Sequence, residues 1–226
     1  MSVLVVAAHP DDEVLGCGGT IARHVQDGER VTIAILGEGV TSRNPTAHKA
    51  NTQSLSDLRG AAREASDLMG VTDLRLLDFP DNRFDTVDLL ELVATVEAII
   101  ADVKPNIVYC QHGGDLNIDH QLTFRAVLTA TRPQPELQVN SLYTWSTRSA
   151  TEWAFSSIFP IFIPRLFVDI SNTLQDKLRA LSVYENELRP WPHSRSLQAV
   201  EAACRSNGAK VGVEAAEVCD VIRVIN

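Results

Sequence analysis

The chain has 226 residues, 45% hydrophobic and 22% charged, which suits one α/β core and leaves no run of about 18 apolar residues to span a bilayer. Its formal net charge of −9 excludes a broad surface for a nucleic-acid backbone, since such binding rests on Lys and Arg neutralising phosphates. The four cysteines, Cys17, Cys110, Cys204 and Cys219, form no C-x-x-C pair and are expected to be small buried hydrophobes.

Residues 3–8, "VLVVAA", are largely β-branched and closed by a loop signal, so they predict a strand buried on both faces of a parallel sheet. The start has no basic n-region and only a short apolar run; it does not read as a signal peptide, and the chain is expected in the cytoplasm. After "GCGG", Ile21 and Val25 recur at helical spacing up to Gly28, and residues 30–36 return to strand character. Residues 37–56 are polar and aperiodic, a predicted surface loop, and a helix is expected over 57–69 with its stop at Gly70. A strand over 73–79 and a turn at "PDNRF" follow. Leu89, Leu92, Val93 and Val96 then mark a helix ended before Pro105, and 106–110 form a fourth strand.

Farther on, 121–132 read as helix, "SLYTWS" and "RLFVDI" as strands, and 171–188 as an amphipathic helix broken by "RPWPH". A helix over 194–207 and a strand "CDVIRVI" close the chain. The alternation predicts an α/β fold with a single Rossmann-like, mostly parallel sheet flanked by helices on both faces. With no repeat and no linker, one domain is expected over 1–226.

Two charged segments carry the chemistry. "AHPDDEVLGCGG" follows the first strand and "YCQHGGDLNIDHQ" follows the fourth. In open α/β sheets ligands bind beyond the carboxyl ends of the strands, so the two loops can face one another. Imidazole and carboxylate suit zinc, and a catalytic zinc keeps three protein ligands and one position for water. Asp11 and Asp12 are adjacent; in near-extended backbone they point to different sides, so one can ligate while the other stands beside the water as a base.

The motifs "AHPDDE" and "D-x-N-x-D-H" resemble those of the PIG-L or LmbE-like zinc-dependent N-deacetylases, with milder matches at "LRGAAREASDLMGV", "LDFPDNRF" and "GVEAAEVCDVIR". The resemblance spans nearly the whole chain. It implies removal of an N-acetyl, or similar acyl, group from an amino sugar or its conjugate, a small-molecule substrate. Carried over position by position, it implies His9, Asp12 and His120 as ligands of Zn2+, with Fe2+ or Co2+ as alternatives, and Asp11 as general base.

The family's second histidine, three residues before the last ligand, is Asn117 here, whose amide can donate to an oxyanion but cannot act as an acid. His112 is then the candidate to carry the proton, and Asp119 to orient an imidazole. Arg59 fits the family's substrate- or oxyanion-contacting arginine better than Arg63.

Plainer roles are expected elsewhere. Glu13 and Asp115 brace their loops, Glu217 braces the wall of the site, and His24 and His48 are solvated. Trp191 and His193 suit the rim or ordinary packing, and the Trp- and Pro-containing tail suits a homo-oligomer interface. Three rival readings stand beside the deacetylase: an amidase on a thiol-sugar or other acyl conjugate, a non-haem iron oxygenase using the same two histidines and carboxylate, and a catalytically weakened metal- or sugar-binding relative.

Overall fold

The computed structural model describes residues 1–39, 52–134 and 139–225; the segment 40–51, with most of the expected surface loop and His48, lies outside them. Among the described residues seven strands form one sheet: β1 (Ser2–Ala7), β2 (Arg30–Gly37), β3 (Asp73–Phe79), β4 (Ile107–Gln111), β5 (Ser141–Trp145), β6 (Leu166–Asp169) and β7 (Ala216–Val224). Their order is β3-β2-β1-β4-β5-β7-β6. The first five pair in parallel, and β7 runs antiparallel to both β5 and β6.

Both faces of β1 are covered, which is why its sequence does not alternate. Val3, Val5 and Ala7 join a core with Ile21, Met69 and Leu181, while Leu4, Val6 and Ala8 join a second core with Leu92, Val96 and Val127. The first core is closed by α1 (Asp12–Gln26), α2 (Thr52–Leu68) and α5 (Leu174–Val183), and the second by α3 (Leu89–Val103) and α4 (Ile118–Ala130). The last helix, α6 (Leu197–Val211), leads into β7. Strand order reverses direction between β1 and β4, so a crevice opens there at the carboxyl ends of the parallel strands. No helix of the described residues is long and apolar enough to cross a membrane.

Several boundaries differ from expectation. The glycines of "GCGG" lie inside α1, which already begins at Asp12. Gly16 is there for close approach: a Cβ on it would sit 2.1 Å from Cδ1 of the buried Trp145. Helix α2 starts five residues before the expected 57, α5 ends at Val183, well short of 188, and α6 runs to Val211. His24 is not solvated, because its ring is held between Glu29 and the Tyr109 hydroxyl, the latter at 3.0 Å. All four cysteines are free and buried.

Candidate metal and catalytic site

The carboxyl end of β1 delivers His9, Asp11 and Asp12, and the start of α4 delivers Asn117, Asp119 and His120. His9 Nδ1 lies 3.3 Å and His120 Nε2 3.2 Å from Asp12 Oδ2. These three residues offer ligand atoms within 4.8 Å of one another. Asp12 Oδ1 and His120 Nε2 are buried and have no hydrogen-bond partner among the described residues. Buried polar atoms left this way carry a desolvation cost, and a divalent cation between them removes it. The donor set, two imidazoles and one carboxylate, is one that zinc takes in catalytic sites.

Each imidazole is also backed by a carboxylate. His9 Nε2 lies 2.9 Å from Asp119 Oδ2 and 3.3 Å from Asp81 Oδ1, and His120 Nδ1 lies 3.2 Å from Asp115 Oδ1. A carboxylate at the far nitrogen keeps the N–H there and turns the bare nitrogen towards the cation. The carboxylates are anchored in turn: Asp119 Oδ1 accepts from the Phe84 amide at 2.9 Å, and Asp115 Oδ2 from the Thr151 hydroxyl at 2.7 Å. Asp119 thus orients His9, not the ring next to it in sequence, and Asp115 does more than brace its loop.

Charge and burial compete here. Burial alone would push the His9 and His120 rings towards neutrality, yet Asp119 and Asp12 at His9, and Asp12 and Asp115 at His120, hold their pKa values near 10 and 9. Asp12, despite its own burial, is held well below the usual carboxylate range by His120 and His9. Asp11 moves the other way. Burial lifts it well above the ordinary range and Asp12, Glu187 and Glu13 add to this, while Arg195 opposes them.

Asp11 sits at the N-cap of α1 with φ 103°, a left-handed conformation that a non-glycine residue adopts at a cost. Its amide donates to Glu13 Oε2 at 3.1 Å, and Glu13 Oε1 accepts from the Tyr184 hydroxyl at 2.7 Å. Glu13 therefore braces the loop. Arg195 Nη1 donates to Asp11 Oδ2 at 3.0 Å, and Arg195 Nε to the Ser149 hydroxyl at 2.7 Å.

His9, Asp11, Asp81, Asn82, Asn117, His120, Glu187 and Arg195 line one cavity of about 140 Å³. A larger hollow of about 390 Å³, at the amino end of β1 to β3, has no histidine in its wall. Asn117 caps α4: its Oδ1 accepts from the Asp119 amide at 2.8 Å, and its Nδ2 donates one hydrogen to Asn82 Oδ1 at 3.0 Å.

Two of the residues singled out from sequence are not brought to this cavity. His112 is buried with Nε2 3.0 Å from the Pro160 carbonyl and its ring edge-on to Phe162, while its Nδ1 has no hydrogen-bond partner among the described residues. Arg59 pairs with Asp78 and the Leu77 carbonyl beside β3. The cation that faces Asp11 is Arg195, which sequence reasoning missed together with Glu187, Asp81 and Asn82. Only the turn "PDNRF" and the segment around His193 and Trp191 drew attention to those stretches, and neither has a periodicity that marks one side chain.

Residues 4–131 match the family described as GlcNAc-PI de-N-acetylase, PIG-L. A probable N-acetyl-α-D-glucosaminyl L-malate deacetylase 2 of Bacillus cereus is 30% identical over 190 residues, covering 82% of this chain and 83% of its own. Among solved structures, an N,N'-diacetylchitobiose deacetylase from Pyrococcus horikoshii superposes with TM-score 0.76 at 18% identity, covering 98% of this chain and 83% of that one. A 4-carboxy-2-hydroxymuconate hydratase from Pseudomonas putida reaches the same TM-score at 18% identity, covering 100% of this chain and 99% of its own, so the fold alone does not fix the reaction.

Proposed function

Because the chain belongs to the GlcNAc-PI de-N-acetylase (PIG-L) family, we propose that it is a zinc-dependent hydrolase removing an N-acetyl, or similar acyl, group from an amino sugar or amino-sugar conjugate. One observation carries the reading: His9, Asp12 and His120 bring ligand atoms within 4.8 Å of one another, Asp12 Oδ1 and His120 Nε2 among them buried without a hydrogen-bond partner, beside a second carboxylate, Asp11, that lines the cavity with His9 and His120. A divalent metal held by these three residues supplies, when bound, water of lowered pKa and a Lewis acid for the amide carbonyl.

The chain's own residues do the rest. Asp11 takes the proton of the attacking water and passes it to the amine nitrogen as the C–N bond breaks, leaving a carboxylic acid and a free amino sugar. Its burial supports the first half of this task, since a carboxylate whose pKa is raised by burial takes a proton from water more readily than an exposed one. Arg195 positions Asp11 through its 3.0 Å contact and favours the ionised carboxylate against burial. Asn117 has a second amide hydrogen beyond the one given to Asn82, and that hydrogen is the donor for the oxyanion. His112 and Arg59 have no part in this scheme, because their contacts point elsewhere.

The test is amine release from a panel of N-acetylated amino sugars and their conjugates, with metal content measured in parallel. Asp11→Asn should keep its metal and lose about 10²- to 10⁴-fold in kcat, the range for a positioned general base. Parent-like turnover in that variant, or amine release by protein stripped of metal, sinks the proposal.

A further inference from the structure

Helix α1 is broken. Cys17 has φ −143° and ψ 26°, outside the helical region, so the helix is two pieces joined at a kink. The first piece is a little over one turn long and carries Asp12 at its start with Asp11 as its cap. So short a helix cannot hold itself by its own hydrogen bonds.

What bridges the break is an ion pair buried from both sides. In an unbroken helix the Gly19 amide would donate to the Leu15 carbonyl, four residues earlier. The Leu15 carbonyl instead accepts from the Lys177 ammonium at 2.9 Å, and the Gly19 amide donates to Glu217 Oε1 at 3.0 Å. Lys177 also donates to Glu217 Oε1, so the two side chains close the gap that the kink opens. Glu217 Oε2 takes the next amide, that of Thr20, at 2.7 Å and the Thr20 hydroxyl at 2.6 Å. The Gly19 carbonyl accepts from Thr173 at 2.8 Å. The side chains of Lys177 and Glu217 are 1% and 3% exposed, so solvent does not weaken the pair.

We infer that the Lys177–Glu217 pair is a positioning device for the metal site: spliced into the backbone ladder of α1, it sets the angle of the turn that presents Asp12 and Asp11. Helix α5 is the strut from which it acts. Lys177 reaches the C-terminal end of that turn, and Tyr184, just past α5, reaches its N-terminal end through Glu13. A bend at this place needs such a device, since the freed amides and carbonyl are buried and would otherwise lack partners. The inference rests on the reading of Asp12 as a metal ligand.

Three variants test it: Glu217→Gln, the double variant Lys177→Met/Glu217→Gln, and Asp12→Ala as reference, each prepared metal-free and titrated with Zn2+ against a competing chelator. The double variant leaves no buried charge unpaired and should fold, with a melting temperature a few degrees below the parent because the Leu15 carbonyl loses its donor. Both pair variants should bind Zn2+ about 10- to 100-fold more weakly, the range seen when groups supporting metal ligands are lost. The Co2+-loaded forms should show an altered visible spectrum, a readout that a merely structural role would not move. If charge-removing variants fail to fold, Thr20→Val removes one donor to Glu217 and keeps the pair; about fivefold weaker binding is then expected.

Folded pair variants, or Thr20→Val in their place, with parent-like Zn2+ affinity and Co2+ spectrum overturn the inference. The reference variant separates the two levels. If Asp12→Ala binds Zn2+ as the parent does, the ligand reading itself fails; if it loses the metal while the pair variants keep it, the positioning role alone fails.

Discussion

The two sides of the cavity reach it by different routes. His9, Asp11 and Asp12 fall within four consecutive positions at the end of β1, and Asn117, Asp119 and His120 within four at the start of α4. The groups that brace these motifs are assembled over long distances: in the cavity wall Arg195 meets Asp11 from 184 residues away, and behind it Lys177 meets Leu15 from 162 and Glu217 meets Gly19 from 198. The groups that would touch metal and substrate thus come as short motifs, whereas the groups that aim them are gathered by the fold. Two short turns at neighbouring strand ends can hold ligand geometry to fractions of an ångström, whereas a brace can enter from any element that packs there.

The largest expected effect lies wholly on the motif side. With pKa values held near 10 and 9, His9 and His120 both carry an extra proton at pH 7 in the metal-free protein. Each must lose it to bare a ligand nitrogen, so binding expels protons. The sign is therefore fixed: affinity rises as pH rises towards 9 and falls on acidification, by about a hundredfold per pH unit when two protons leave, tenfold for each. Calorimetry of Zn2+ binding in buffers of different ionisation enthalpy should count about two protons released near pH 7. A count of zero would mean that the ring charges are not set by the carboxylates around them.

The next effect lies on the seam between the sides. Gly16 belongs to the first turn of α1, and Trp145 ends β5. Replacing Gly16 with Ala adds about 1 kcal/mol of helix propensity but drives a methyl group into three atoms of the Trp145 ring, at 2.1 to 2.4 Å. Overpacking costs about 1 to 3 kcal/mol, and a fully buried indole has nowhere to move, so a net loss of about 2 kcal/mol is expected. A lower urea midpoint with an unchanged slope would show it. A stabilised variant would mean that the turn is not seated on Trp145.

These contrasts mark what the sequence made legible. Periodicity and the βα alternation were enough for β1 to β4, because buried parallel strands read as apolar runs between loop signals. The kink at Cys17 was not readable: "GCGG" looks like a loop before a helix, and nothing local announces that Lys177 and Glu217 will bridge it. Glu217 was expected as a brace for the wall of the site, but its partner Lys177 looked like one more polar position of an amphipathic helix. Arg195 stayed hidden for the same reason, since a cation gains its role from what packs around it and Asp11 is far away in the chain.

The two arginines give the smallest and sharpest contrast between the sides. Arg195 lies in the cavity wall with its guanidinium on Asp11, so Arg195→Met removes the main influence that lowers the Asp11 pKa against burial and the neighbouring carboxylates. Without that positive charge the acid limb of the pH–rate profile should move to higher pH. Just below that limb the loss is about tenfold per unit, because a carboxylate protonated at the working pH cannot serve as base. Arg59, by contrast, is paired with an Asp78 side chain that is 76% exposed, and such pairs contribute about 0.2 to 1 kcal/mol. Arg59→Ala should leave the profile and kcat/KM where they are. If Arg59→Ala moved the limb and Arg195→Met did not, the cation serving Asp11 would come from the motif side after all, and the division between local ligands and distant braces would not hold at the catalytic carboxylate.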